Sequence, residues 1–157
     1  MDEAARKFVL DIIDNAKDLT LATVRPDGYP QATTVSYAHD GMTLYVGIGK
    51  DSQKAANIRY NNRVSLTINS NYDDWKHIKG LSMSGVAEII SDPDTLKHAS
   101  ECMLQRFPQV MEWVEAAQEN AQVKPEMEAI VFLKIEPQIV SILDYEKGFG
   151  HTELVTV

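Results

Sequence analysis

One cysteine in 157 residues, Cys102, leaves no internal disulfide and no thiolate metal cluster within one chain. Its neighbours recur at helical spacing, so it reads as a structural thiol rather than a nucleophile. Basic residues are scarce as well. Lys and Arg number 15 against 23 Asp and Glu, a net charge of −8, and no basic cluster is present to track a nucleic-acid backbone. An acidic chain can still hold an anion, because binding follows the local potential at a pocket and not the sum over the surface. No apolar run approaches the length of a membrane span, and Met1-Asp2-Glu3-Ala4-Ala5 has neither the basic nor the apolar stretch of a secretory signal. These absences predict a cytoplasmic protein with no membrane and no nucleic-acid partner.

Motifs of several enzyme classes are missing too. Without a Gly-rich phosphate loop of either standard spacing, a P-loop nucleotidase and a Rossmann dehydrogenase have nothing to stand on. The four histidines, His39, His77, His98 and His151, lack paired spacing and predict no metal site. Ser82-Met83-Ser84-Gly85 comes nearest to a nucleophile elbow but falls inside a strand pattern. The carboxylate pairs Asp73/Asp74 and Glu126/Glu128 sit among polar residues, as solvated pairs do. Catalytic residues therefore stay unassigned.

What remains is a chain with 44% hydrophobic residues, enough for one substantial core and one domain over 1–157. Ala5, Phe8, Val9, Ile12, Ile13 and Ala16 mark an amphipathic helix over 2–17. Residues 19–24 and 31–37 read as strands around the turn Pro26-Asp27-Gly28, and His39-Asp40-Gly41 hands over to a third at 42–48, predicting a three-stranded antiparallel meander. A short helix at 52–60 interrupts it. A fourth strand at 63–68, a polar loop at 69–80 and a fifth strand at 81–90 follow. Pro93 opens a helix running to about 107, Val110, Met111, Trp113 and Val114 mark another, and 119–124 is a polar linker. Residues 129–142 form a sixth strand with Pro137 at an edge or bend, and 144–151 match neither pattern. Six strands with short turns and no regular strand-helix alternation predict a mainly β fold: an antiparallel barrel with flanking helices.

Three features could converge on one coenzyme-sized ligand. Ser52-Gln53-Lys54 opens the short helix, where unpaired N–H groups and the positive end of the macrodipole meet a hydroxyl and an ammonium, a combination that suits a phosphate. An ordinary Ser cap on a surface helix is the plainer alternative. Thr33-Thr34-Val35-Ser36-Tyr37 offers amides and small hydroxyls to the polar edge of a flat heterocycle, with ordinary β-propensity as its alternative. Trp75, or the 145–151 tail, could cover the face of such a ring, and Trp75 could equally be a loop anchor.

Leu21-Ala22-Thr23-Val24-Arg25-Pro26-Asp27-Gly28-Tyr29-Pro30-Gln31, then Tyr45-Val46-Gly47, Ser52-Gln53-Lys54-Ala55-Ala56-Asn57-Ile58 and Asn62-Arg63-Val64-Ser65-Leu66, resemble the pyridoxamine 5′-phosphate oxidase-related, FMN-binding split-barrel family over about residues 8–144. The resemblance implies a split-barrel homodimer with FMN in a cleft shared between subunits, acting as an oxidoreductase on a small-molecule substrate. Ser52 and Lys54 match positions that contact the FMN phosphate. Gln53 stands where many members have Arg, so phosphate binding would be weaker or shared with another cation such as Lys50. The 33–37 strand matches the one lining the isoalloxazine, with Thr34, Val35 and Ser36 as contacts. Two departures separate this chain from the oxidases proper. Gly80 or Leu81 replaces a Gln on the following barrel strand, and the tail Lys147-Gly148-Phe149-Gly150-His151 has no Arg, leaving Lys147 and His151 as groups that could bind a small anion, with a flexible tail as the equal alternative. The resemblance also admits a non-catalytic flavin-binding, stress-related module, or a deazaflavin- or haem-binding relative.

Overall fold

The computed structural model describes residues 1–119 and 124–157, so most of the expected 119–124 linker lies outside the described residues. The chain order is α1 (Glu3–Asn15), β1 (Asp18–Val24), β2 (Pro30–Ser36), β3 (Ala38–Asp40), β4 (Thr43–Gly49), α2 (Gln53–Tyr60) and β5 (Arg63–Asn69), then β6 (Lys79–Ile89), α3 (Pro93–Arg106), α4 (Val110–Glu119), α5 (Lys124–Glu128), β7 (Ile130–Asp144) and β8 (Thr152–Thr156). Two strands exceed the six expected. β3 is three residues long and hides in the His39-Asp40-Gly41 turn signal, while β8 carries Glu153 and Thr156 and has no alternation to betray it.

All pairings are antiparallel, in the order β2-β1-β5-β6-β7-β4-β3, with β8 on β7. The expected three-stranded meander is therefore wrong beyond its first hairpin. β4 pairs with β7, Leu44 opposite Ile135, and not with β2. The two ends of the sheet, β2 and β3, are consecutive in the chain, joined at Tyr37. The sheet thus curls into a barrel closed by chain continuity across that corner.

Alternation fixes which side faces in. Leu19 and Leu21, Val64, Leu66 and Ile68, Leu81 and Met83, and Leu44, Val46 and Ile48 point into one core, with Val9, Ile12 and Ile13 of α1 packed onto it. On β7 the inward residues are Leu133 and Ile135 before Pro137, but Val140 and Ile142 after it. One extra residue resets this parity. The register with β6 slips between Ser84 and Gly85, and Pro137 stands at that bulge, between the stretch paired to β4 and the stretch paired to β8. Gly85 is required there, because a Cβ would lie 2.5 Å from the Glu136 carbonyl oxygen.

The corner at Tyr37 is fully buried. Its hydroxyl donates to the carbonyls of Ile13 (2.7 Å) and Ala16 (3.1 Å) at the end of α1, and burial pushes its pKa up to about 12. α1 has no basic residue in its last turn. Arg106 of α3 supplies the charge instead, donating from Nη2 to Ile13 and Ala16 while its guanidinium lies 4.9 Å from the Tyr37 ring centroid. Beside it, His39 pairs with Asp14 at 3.2 Å.

Candidate functional site

α2 begins where β4 ends, and its first turn is built by Ser52. The Ser52 hydroxyl donates to Gly49 O (2.7 Å) and accepts from Ala55 N–H (3.3 Å), so the plain capping role is real. Gly49 is packed against this cap, with its missing Cβ 3.7 Å from Ser52 Cβ. The backbone of Lys50 is pinned on both sides, its N–H donating to Ala129 O (2.8 Å) and its carbonyl accepting from Arg59 Nη1 (2.9 Å). Neither Lys50 nor Lys54 has a carboxylate within ion-pair distance among the described residues. The helix start therefore presents two ammonium groups without an ion-pair partner among the described residues, with the exposed Asp51 carboxylate between them in sequence, beside a capped N-terminus.

Gln53, between the two lysines in sequence, is engaged within the helix. Its side-chain amide donates to Asn57 Oδ1 at 2.8 Å, one turn along the helix. Asn57 is fully buried and donates in turn to Thr23 Oγ1 (2.9 Å) and Gln31 Oε1 (3.0 Å). Thr23 and Gln31 face each other across the β1/β2 ladder, so one carboxamide ties α2 to a single rung of the sheet. This network escaped the sequence reading. Its only signal is a polar residue at a core-facing helical position, between Ala55 and Ile58.

β2 runs from that rung to the barrel corner. Thr33 and Val35 turn toward the interior, and Thr34 and Ser36 turn outward, where Ser36 donates to Asp18 Oδ1 at 2.7 Å. The outward positions belong to a wide face of small side chains. Ala32, Ala22, Ser65 and Ser84 form one row across four strands, and Thr34, Thr20, Thr67 and Ser82 form the next. A hollow of about 490 Å³ indents this face near Pro30, Arg63 and Gln138.

Trp75, Lys147 and His151 lie elsewhere. Trp75 opens a 3₁₀ turn after β5, 52% exposed, and meets Tyr145 and Phe149 edge-on at centroid distances of 6.4 and 6.1 Å. Lys147 approaches Glu153 at 3.9 Å, and His151 N–H donates to Gly148 O. α2 enters β5 at Arg63, whereas the Trp75 turn leaves it after Asn69, and a seven-residue strand spans about 20 Å. Within one chain the two groups are thus at opposite ends of the barrel. Of the two positions matched to the oxidase Gln, Leu81 is buried in the core and a Cβ on Gly80 would lie 2.6 Å from Asn69 Oδ1. Cys102 is half-buried with its thiol pKa pushed up by burial, and its Sγ lies 3.7 Å from His98 Nε2.

The signature of the pyridoxamine 5′-phosphate oxidase family matches residues 1–143. A curated relative, general stress protein 26 of Bacillus subtilis (strain 168), is 35% identical over 63 residues, which cover 40% of this chain and 44% of that protein. The fold is similar to a haem-binding protein from Mycobacterium smegmatis (TM-score 0.77, 19% identity, 99% of this chain and 59% of that one). It is also similar to a conserved hypothetical protein from Mycobacterium tuberculosis (0.73, 26% identity, 100% and 92%) and to the haem storage protein of Vibrio cholerae (0.70, 18% identity, 95% and 98%).

Proposed function

Because the chain belongs to the pyridoxamine 5′-phosphate oxidase family, we propose that it is an FMN-binding oxidoreductase acting on a small-molecule substrate as a homodimer. The observation that carries this reading is the tie between the cationic start of α2 and β2. The donor set suits a flavin phosphate. The free amides of the helix start and the ammonium groups of Lys50 and Lys54 would hold the dianion, joined by the Ser52 hydroxyl once it exchanges its bond to Gly49 O, while Thr34, the β2 backbone and Ser36, on release from Asp18, would read the polar edge of the ring. Bound there, FMN would supply hydride transfer at its N5. The protein's part is to orient the ring and to place hydrogen-bond donors where charge develops.

The small-side-chain face supports a second copy, since Ser, Thr and Ala let two surfaces approach closely around a flat ligand. A partner lying across it would bring Trp75, Lys147 and His151 to the end of the site that one chain leaves open. The tail offers one Lys and one His and no Arg, so the substrate is not gripped as the phosphate substrate of an oxidase proper would be. Freshly purified protein should show flavin absorbance, gain thermal stability on adding FMN, and elute as a dimer by size exclusion with light scattering. Colourless protein whose melting temperature ignores FMN would refute the reading. Bound FMN that NADH and NADPH both fail to reduce would favour a non-catalytic flavin module. The likeness to two haem proteins supports one further reading, and a Soret band in the same spectrum would establish it.

A further inference from the structure

We infer that Asn57 is a positioning residue, holding the phosphate end of the site at a fixed distance from the ring-lining strand. The inference rests on the FMN reading above and concerns how the two ends of that site are held relative to each other. α2 is only eight residues long, and its inner face buries Ala55, Asn57 and Ile58 alone. Ser52 and Arg59 tie the helix to the end of β4, but two apolar side chains give it little directional restraint against β1 and β2. The directional restraint comes from the carboxamide, which is 0% exposed and makes three hydrogen bonds of 2.8–3.0 Å. Two of them end on the Thr23/Gln31 rung. Gln31 is two residues before Thr33 and three before Thr34, so the same strand that lines the ring is bolted to the helix that receives the phosphate.

A ligand that spans both ends gains from this only if their separation is already correct, because its ring and its phosphate are joined by a chain of fixed length. The third bond adds a specificity consequence. One N–H of the Gln53 amide is committed to Asn57, so this side chain offers the phosphate at most its other N–H and no charge, and Lys50 and Lys54 carry the charge with Ser52 beside them.

The test compares FMN and riboflavin binding, by quenching of flavin fluorescence, in wild-type protein and in Asn57→Ala, Gln31→Leu and Gln31→Glu. Gln31→Glu keeps an accepting oxygen for the Asn57 amide, and Gln31→Leu keeps the bulk without it. Gln31→Leu should weaken FMN about tenfold, the scale of one lost buried hydrogen bond. Asn57→Ala, which loses three, should weaken it at least as much, and both should narrow the preference for FMN over riboflavin. Gln31→Glu should stay within about threefold of wild type on the same scale. Equal losses in Gln31→Glu and Gln31→Leu, an unchanged FMN-to-riboflavin ratio, or no loss in any variant would overturn the inference. Wild-type protein that binds no FMN would instead overturn the functional reading itself, and is seen before any variant is made.

Discussion

Replacing Arg106 with Met probes the barrel corner while keeping most of the side chain's apolar length. The guanidinium gives two charge-assisted hydrogen bonds to α1 carbonyls and a cation–π contact with Tyr37. Charge-assisted bonds are worth about 1.5–3 kcal/mol each, and the ring contact and helix-dipole contributions are each about 0.5–1 kcal/mol. Two effects reduce the sum. The Tyr37 hydroxyl still shares its one proton between the two carbonyls, and Arg106 Nε is buried with no hydrogen-bond partner among the described residues, so removing it relieves a cost of about 1–3 kcal/mol. The expected net loss is about 2–3 kcal/mol, or roughly 5–10 °C in melting temperature for a chain of this size. Urea unfolding at fixed protein concentration reads it as a lower midpoint with an unchanged slope. Arg106→Lys, which keeps the charge but loses the planar fork, should fall between. Adding Tyr37→Phe should cost more than the two single changes together, because the carbonyls of Ile13 and Ala16 then lose every side-chain donor. Arg106→Met within about 0.5 kcal/mol of wild type, the scatter of ordinary surface changes, would refute the account.

At the phosphate end, Lys54→Ala should weaken FMN about tenfold or more in a fluorescence titration. Gln53→Ala should change it less than about threefold, since that amide carries no charge and already donates to Asn57. Equal losses would contradict the assignment. Gly85→Ala drives a methyl against the Glu136 carbonyl and should lower stability by about 2–3 kcal/mol in urea; a neutral result would show that the bulge can give way. Burial, and next Arg106, lower the His39 pKa, while Asp14 and the Gly41 and Asp40 groups raise it. The unfolded chain therefore binds this proton more readily, and stability should fall as pH drops through the ordinary histidine range toward the lower folded pKa. His39→Gln should flatten the slope of the urea midpoint between about pH 7 and 5. A slope that survives the substitution would assign it to other groups.

The barrel's long strands were legible because one wall faces the core, so 19–24, 63–68 and 81–90 alternate visibly. Periodicity reports that a strand exists and which side is buried, not which strand lies beside it. The partner of Leu44 is therefore Ile135 and not a residue of the preceding hairpin. β3 and β8 were missed for another reason. A three-residue strand is too short to alternate, and an edge strand with Leu154 and Thr156 on its open side has no buried row. At the site, the Ser52 cap was readable from local rules. The Asn57 network was not, because its partners lie 26 and 34 residues away and nothing local distinguishes a buried amide from a solvated one.

β7 has three neighbours, β6 and, on its other side, β4 and β8. On a ribosome this makes it the keystone. Every strand up to β6 emerges before it, and until residues 130–144 follow, β4 and β6 each expose a row of unpaired backbone groups. A nascent or truncated chain ending before Ile130 thus carries two open edges, and closing both with one strand makes the interval between the emergence of β6 and that of β7 the period of greatest exposure to misassembly.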